Sequence, residues 1–386
     1  MQPTGVVETA KATNHLKDLQ KFGQSVWLDY IRRDLFSTGE LKRLIQEDGL
    51  RGMTSNPSIF EKAINESEYY KETLRSLESR TDLDAGGRYE VLAIKDIQDA
   101  ADALRSVYDQ TKRRDGYVSL EVSPYLARDT QATLNEARRL WKAVNRENLM
   151  VKVPGNAEGI PAFQQLISEG ININVTLLFA QEVYERVAEA YIAGVAQLAA
   201  RGGDVSKIAS VASFFISRID SSVDKIVETR LKTPKDEQEK KDLQSIQGKV
   251  AIANGKQTYQ KYLKIFGADR WKKLAAKGAQ TQRVLWASTS TKNPNYSDVM
   301  YIDDLIGPDT VNTIPPATFD AFRDHGKPRA TLTENLGDAD SVMQTTAKLG
   351  ISMKEVTDKL TDDGVKLFAD AFDKLLKAVE QSSKSK

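Results

Sequence analysis

The chain has no cysteine. Disulfides, thiolate nucleophiles and cysteine metal sites are therefore excluded. Histidine is almost as scarce: His15 and His325 lie far apart among polar residues, so neither reads as half of a metal pair, and both read as surface residues. No apolar run approaches the ~18 residues that a membrane-spanning helix needs. The first residues, Met1-Gln-Pro-Thr-Gly5, lack the basic and apolar regions of a signal peptide, so the expected location is the cytoplasm. A surplus of one charge is also missing. Lys+Arg number 55 and Asp+Glu 54, a formal net charge of +1, which gives no sign of a nucleic-acid or anionic-membrane partner. A small anionic substrate needs only a few local cations and stays open.

What is present is a large apolar core. Hydrophobic residues make up 40% of the 386 positions, enough to exclude global disorder. That length suits one large α/β barrel with insertions, or two to three ordinary domains. Short apolar runs alternate with longer amphipathic stretches. The runs are Ser25–Ile31, Leu50–Thr54, Tyr117–Val122, Leu149–Val153, Ile171–Leu177, Ile208–Phe214, Arg283–Ala287 and Thr310–Ile314. Between them, Asp129–Val144 and Ala180–Leu198 carry apolar residues at spacings of three and four, the pattern of amphipathic helices. Eight strands separated by helices predict a parallel sheet closed into an α/β (β/α)8 barrel of the TIM type. A doubly wound open sheet is the alternative, but no Gly-rich dinucleotide fingerprint follows the first strand.

We expect one barrel domain over residues 1–386. Two connections are long, 57–116 and 220–282; the second contains the charge run Lys232–Asp242 and reads as a solvated helical insertion. Val365, Phe368, Phe372, Leu375, Leu376 and Val379 form one apolar stripe, predicting a C-terminal helix packed on the barrel. The tail from Gln381 to Lys386 is expected to be disordered. Nothing in the sequence separates a monomer from a homodimer.

The oddest residue is Lys152, one ammonium among Leu149, Met150, Val151 and Val153. A core strand rarely admits a lysine, because removing its charge from water is costly. Burial favours the neutral amine, which attacks a ketone to make a Schiff base; the plain alternative is an edge-strand lysine whose head reaches solvent. Other predicted strands also carry polar residues within or just after their apolar runs, where barrels gather their chemistry. These are Asp29, Asn56, Glu121, Asn174 with Thr176, Ser213 leading to Arg218, and Ser288 leading to Lys292. Taken singly each has a structural explanation: Asp29 as a helix cap, Asn56 as a turn former, Glu121 as a partner of Arg128, Asn174 as a satisfier of buried backbone, Arg218 and Lys292 as surface cations. Together, two carboxylates, a buried lysine, asparagines and hydroxyls make up the components of a Schiff-base aldol site.

Four segments carry a resemblance: Gly52-Met-Thr-Ser-Asn-Pro-Ser-Ile-Phe60, Met150-Val-Lys-Val-Pro154, Gly170-Ile-Asn-Ile-Asn-Val-Thr-Leu-Leu-Phe179 and Ser213-Phe-Phe-Ile-Ser-Arg218. They look like the signature segments of transaldolases, in order over about residues 20 to 330, and the length resembles the larger subfamily more than the compact fructose-6-phosphate aldolases. The resemblance implies reversible transfer of a dihydroxyacetone unit from a ketose phosphate to an aldose phosphate, a step of the non-oxidative pentose phosphate pathway. It implies Lys152 as the Schiff-base nucleophile and Asp29 as the acid/base at the C4 hydroxyl. Glu121 and Thr176 would hold a catalytic water, while Asn56, Asn174 and Ser213 would bind hydroxyls of the three-carbon unit. Phe215 falls where members with true aldolase activity carry tyrosine, which favours transfer. Arg218 matches a phosphate-binding arginine, and Lys292 with Ser288 stands in for a second cation in a segment longer than the family's compact form. No metal or organic cofactor is implied, because the lysine supplies the electron sink. The competing readings are a dihydroxyacetone-forming aldolase using the same lysine, and a catalytically silent barrel serving as a scaffold.

Overall fold

Apolar runs of five or six residues are too short for buried helices and become strands once both faces are covered. The computed structural model describes residues 14–382. Its strands are β1 (Gln24–Asp29), β2 (Gly52–Thr54), β3 (Tyr117–Glu121), β4 (Leu149–Pro154), β5 (Ile173–Leu178), β6 (Ser210–Phe215), β7 (Arg283–Ala287) and β8 (Thr310–Ile314). Each pairs in parallel with the next, and β8 returns to pair with β1, closing the barrel. The predicted (β/α)8 architecture is thus the one adopted, and the open sheet is not. Along all eight strands, only Asp29 and Glu121 are not fully buried, and both stand at the C-terminal ends of their strands.

Alternate residues of each strand point into the barrel and fill it. At the N-terminal end the filling is a polar plug. Asp115 accepts hydrogen bonds from Ser25 Oγ at 2.7 Å and Trp27 Nε1 at 3.2 Å, and pairs with Arg283 at 2.8 Å. Gly52 is required beside it: a Cβ there would lie 2.5 Å from the Trp27 ring. The N-terminal end is thereby closed by packed side chains, which leaves the C-terminal end to hold a pocket.

The long connections are helical. Pro57–Glu66, Lys71–Glu78, Ala85–Ala103 and Arg105–Gln110 lie between β2 and β3, and Ser217–Leu231, Glu237–Ile246, Val250–Phe266 and Asp269–Ala275 lie between β6 and β7. The last helix, Met353–Ser382, packs against Pro57–Glu66 at the C-terminal end of the barrel. Phe372 is wedged edge-on between Tyr89 and Tyr125, at 5.7 and 5.6 Å. The tail expected to be disordered contributes its first two residues to the end of this helix; the rest lies outside the described residues. Among the described residues, no helix is long and apolar enough to cross a membrane. His325 is exposed between Asp298 and Asp324, whereas His15 is half-buried at the start of the described chain.

Candidate active site

A cavity of about 590 Å3 opens at the C-terminal mouth. Asp29, Asn56, Lys152, Thr176, Ser213, Phe215, Arg218, Ser288 and Lys292 all line it. Glu121 and Asn174 stand one layer behind, each against a lining residue. Strand register sets this arrangement: Glu121 is level with Lys152, Lys152 with Asn174, and Asp29 with Thr54.

Lys152 is buried, with 5% of its surface exposed, so its head does not reach solvent as an edge-strand lysine would. Its Nζ donates to the Ser55 carbonyl at 3.1 Å and lies 3.8 Å from Glu121 Oε2. Burial pushes the Glu121 carboxyl up to about 7; the Lys152 charge opposes that rise and Asp29 adds to it. Asp29 is also raised by burial, against the Lys152 charge and a 2.7 Å hydrogen bond from Thr54 Oγ1. Two carboxyls whose burial favours the protonated form thus sit beside one lysine, the kind of setting in which acid–base groups work. Among the described residues, Glu121 Oε2 and Thr176 Oγ1 are both buried without a protein hydrogen-bond partner. Buried polar atoms seldom stay unpaired, so each of the two is a place where a water can be held. A register slip between Val175 and Leu178, with Leu177 at φ +61°, spans Thr176, and such irregularities re-aim side chains.

Asn174 is fully buried; its amide donates to Ser119 Oγ at 3.1 Å and its carbonyl accepts from Ser213 Oγ at 2.6 Å. Asn56 has two tasks. Its Oδ1 caps the Pro57–Glu66 helix through Ile59 N at 3.1 Å, while the residue also faces the cavity. The Glu121–Arg128 pairing considered from sequence is absent: Arg128 reaches Asp362 and Glu158 instead.

Two cations also line the mouth. Arg218, in the first turn of Ser217–Leu231, lies 5.4 Å from the Phe215 ring centroid, and among the described residues no carboxylate pairs with it. Lys292 is exposed and donates to Ser290 Oγ at 2.7 Å. Burial of its ammonium and the nearby Arg218 charge push Lys292 below the usual lysine range. Neither cation is held in a salt bridge among the described residues, although the Asp29 charge acts on Lys292, and a guanidinium with an ammonium is a donor set that suits a phosphate. The Lys292 loop is pinned to the arginine's helix, because Tyr296 donates to Asp224 at 2.8 Å and Tyr301 to Asp220 at 2.9 Å.

Sequence reasoning missed three participants. The Ser55 carbonyl is invisible as a side-chain motif. Ser290 lies between Ser288 and Lys292 but carried no motif of its own. Phe368 of the last helix lines the cavity with its ring centroid 5.9 Å from Lys152 Nζ. Among the described residues, no cluster of three or more histidine or acidic side chains is arranged to hold a metal ion.

A closed parallel barrel with a buried lysine beside two carboxyls at its C-terminal mouth has the make-up of a lysine-dependent aldol enzyme. The profile of the family described as Transaldolase/Fructose-6-phosphate aldolase matches residues 26–379. The chain belongs to that family. It is 48% identical over 382 residues to "Transaldolase" of Trichodesmium erythraeum (strain IMS101), covering 96% of this chain and 98% of that protein. It is 46% identical over 380 residues to "Transaldolase 2" of Nostoc sp. (strain PCC 7120), covering 96% and 97%. To "Transaldolase" of Thiobacillus denitrificans it is 44% identical over 363 residues, covering 94% and 99%.

Proposed function

We propose that the protein is a transaldolase, a transferase that moves a dihydroxyacetone unit from fructose 6-phosphate or sedoheptulose 7-phosphate to erythrose 4-phosphate or glyceraldehyde 3-phosphate, as in the non-oxidative pentose phosphate pathway. The observation that carries this reading is Lys152, buried inside the barrel with its Nζ 3.8 Å from Glu121 and its charge acting on Asp29. The neutral amine of Lys152 attacks C2 of the ketose. The carbinolamine loses one water to give an iminium, with the water bridging Glu121 and Thr176 relaying the proton. Asp29 takes the C4 hydroxyl proton as the C3–C4 bond breaks, and the bonding pair moves toward the iminium to leave an enamine. The aldose phosphate departs. An acceptor aldehyde then binds, C3 of the enamine attacks its carbonyl, and Asp29 returns the proton. Hydrolysis takes up one water and frees Lys152.

Asn56, Ser213 and, behind it, Asn174 hold the hydroxyls of the three-carbon unit, while Phe215 packs beside them. Arg218 and Lys292, with Ser288, hold the phosphate. We assign this work to a single barrel domain, acting in the cytoplasm as a monomer or homodimer on free sugar phosphates and needing neither cofactor nor metal.

Borohydride trapping with fructose 6-phosphate, followed by peptide mapping, tests the assignment. A stable adduct on Lys152 is expected, since hydride reduces the imine. An unlabelled protein, or a label on another lysine, would overturn it. Turnover of fructose 6-phosphate that is equally fast without erythrose 4-phosphate would favour the aldolase reading.

A further inference from the structure

One wall of the cavity beside the reacting nitrogen comes from neither a strand nor a βα loop. It comes from the last helix, Met353–Ser382, which lays Phe368 against the cavity at 5.9 Å from Lys152 Nζ. Behind Phe368 is a second cavity of about 10 Å3, bounded by Glu121, Pro154, Leu177 and Val365. That is room for about one water. Phe368 thus lines both this small space beside Glu121 and the larger cavity that holds Lys152. The helix is held in place from the barrel rim: Arg128 pairs with Asp362, Tyr125 donates to Asp373, and Gly364 passes so close to Leu177 that a Cβ would lie 2.8 Å from it. Leu177 follows Thr176 directly.

We propose that Phe368 is a specificity-determining residue: it keeps bulk water from the three-carbon unit on Lys152, so that the unit passes to an acceptor aldehyde instead of escaping as dihydroxyacetone. This rests on the imine reading above. The competing reaction consumes one water and no net proton. Asp29 gives the proton it took from the C4 hydroxyl to the enamine carbon C3, water adds at C2 and returns one proton to Asp29, its second proton passes to nitrogen as the C2–N bond breaks, and dihydroxyacetone leaves with the amine of Lys152 freed. Transfer needs the enamine to outlive the exchange of one aldose phosphate for another, during which the cavity is briefly open. An apolar ring over the nitrogen lowers the water available in that interval. Phe215 supplies a second apolar wall, 5.2 Å from Phe179, so water is held off from two sides.

The test compares the native protein with Phe368→Ala and Phe368→Leu, measuring dihydroxyacetone released from fructose 6-phosphate alone against transfer to erythrose 4-phosphate. Phe368→Ala is expected to raise the release-to-transfer ratio by about tenfold, and Phe368→Leu, which keeps apolar bulk, to stay near the native value. Arg128→Ala combined with Tyr125→Phe removes two exposed anchors of the helix without touching the cavity. It is expected to shift the ratio in the same direction. An unchanged ratio in Phe368→Ala and in the double variant, with Lys152 still trapped by borohydride in each, would overturn the inference. Failure to label Lys152 in the native protein would overturn the imine reading, and this inference with it.

Discussion

Glu121 and Lys152 face each other across adjacent strands, level in register, with 3.8 Å between Oε2 and Nζ. Backbone pairing of β3 with β4 fixes that separation, so the contact is a property of the barrel and not of mobile loops. Few arrangements hold a carboxyl and an amine so near without neutralising both as a tight ion pair. Burial disfavours the charged carboxylate here, which is why Glu121 titrates near 7 and remains able to exchange a proton with the amine or with a water.

The first prediction concerns pH. Since Glu121 is pushed up to about 7, kcat/KM for fructose 6-phosphate should rise with pH through that value as the carboxylate forms. Glu121→Gln cannot accept a proton, so the acidic limb should disappear and the rate should fall by about 10²–10⁴-fold. A pH–rate profile of both proteins checks this. A limb unchanged in position in the variant would assign the titration to another group.

Asp29 allows two halves of the reaction to be separated. It is level with Thr54, which donates to it at 2.7 Å and itself meets Thr313 at 2.6 Å, so the carboxyl is oriented by a chain of hydroxyls. Asp29→Asn keeps the shape but not the base. Carbon–carbon cleavage should slow by about 10²–10⁴-fold while imine formation continues. Borohydride should therefore still label Lys152 in this variant, and a six-carbon adduct should accumulate, readable by mass spectrometry.

Most of this was legible in the sequence because strands buried on both faces read as unbroken apolar runs, and polar residues inside such runs stand out. Lys152, Asp29, Glu121 and Thr176 were singled out in that way. What was not legible depends on long-range placement. The apolar stripe through Val365, Phe368 and Phe372 looks the same whether it covers a flank of the barrel or its mouth. Asn174 lies on the correct strand face, yet only three-dimensional packing puts Ser213 between it and the cavity. Asp115, which organises the polar plug, sits on the loop before β3, where an aspartate ordinarily signals a turn.

Phosphate recognition should follow the two unpaired cations. Arg218→Ala should raise KM for fructose 6-phosphate by about 10–100-fold, the size of one lost charge-assisted hydrogen bond of about 1.5–3 kcal/mol. Lys292→Ala should cost less, because Lys292 is exposed whereas Arg218 is only partly so. Neither change should affect the reaction of unphosphorylated dihydroxyacetone donors. Tyr296→Phe removes the bond to Asp224 that pins the loop, so it should raise KM with little change in kcat. Steady-state kinetics on phosphorylated and unphosphorylated donors separate these effects.

The opposite end of the barrel makes a purely structural prediction. Arg283 and Asp115 are both buried, 2.8 Å apart, and Arg283 also donates to Ser25 Oγ at 2.7 Å. Removing one member of such a pair leaves an uncompensated buried charge, at a cost of about 3–5 kcal/mol. Arg283→Met should therefore lower the unfolding midpoint markedly while leaving KM of the folded fraction unchanged, since the plug lies at the far end from the mouth. Replacing both partners, as in Asp115→Leu with Arg283→Met, removes the stranded charge. Recovery should nevertheless stay incomplete, because Ser25 Oγ and Trp27 Nε1 lose the carboxylate that accepts from them, at about 1–3 kcal/mol for each buried donor left unpaired. Thermal unfolding of the two single variants and the double variant measures the difference. Full recovery in the double variant would mean that the plug is held by packing around Trp27 and Gly52 alone.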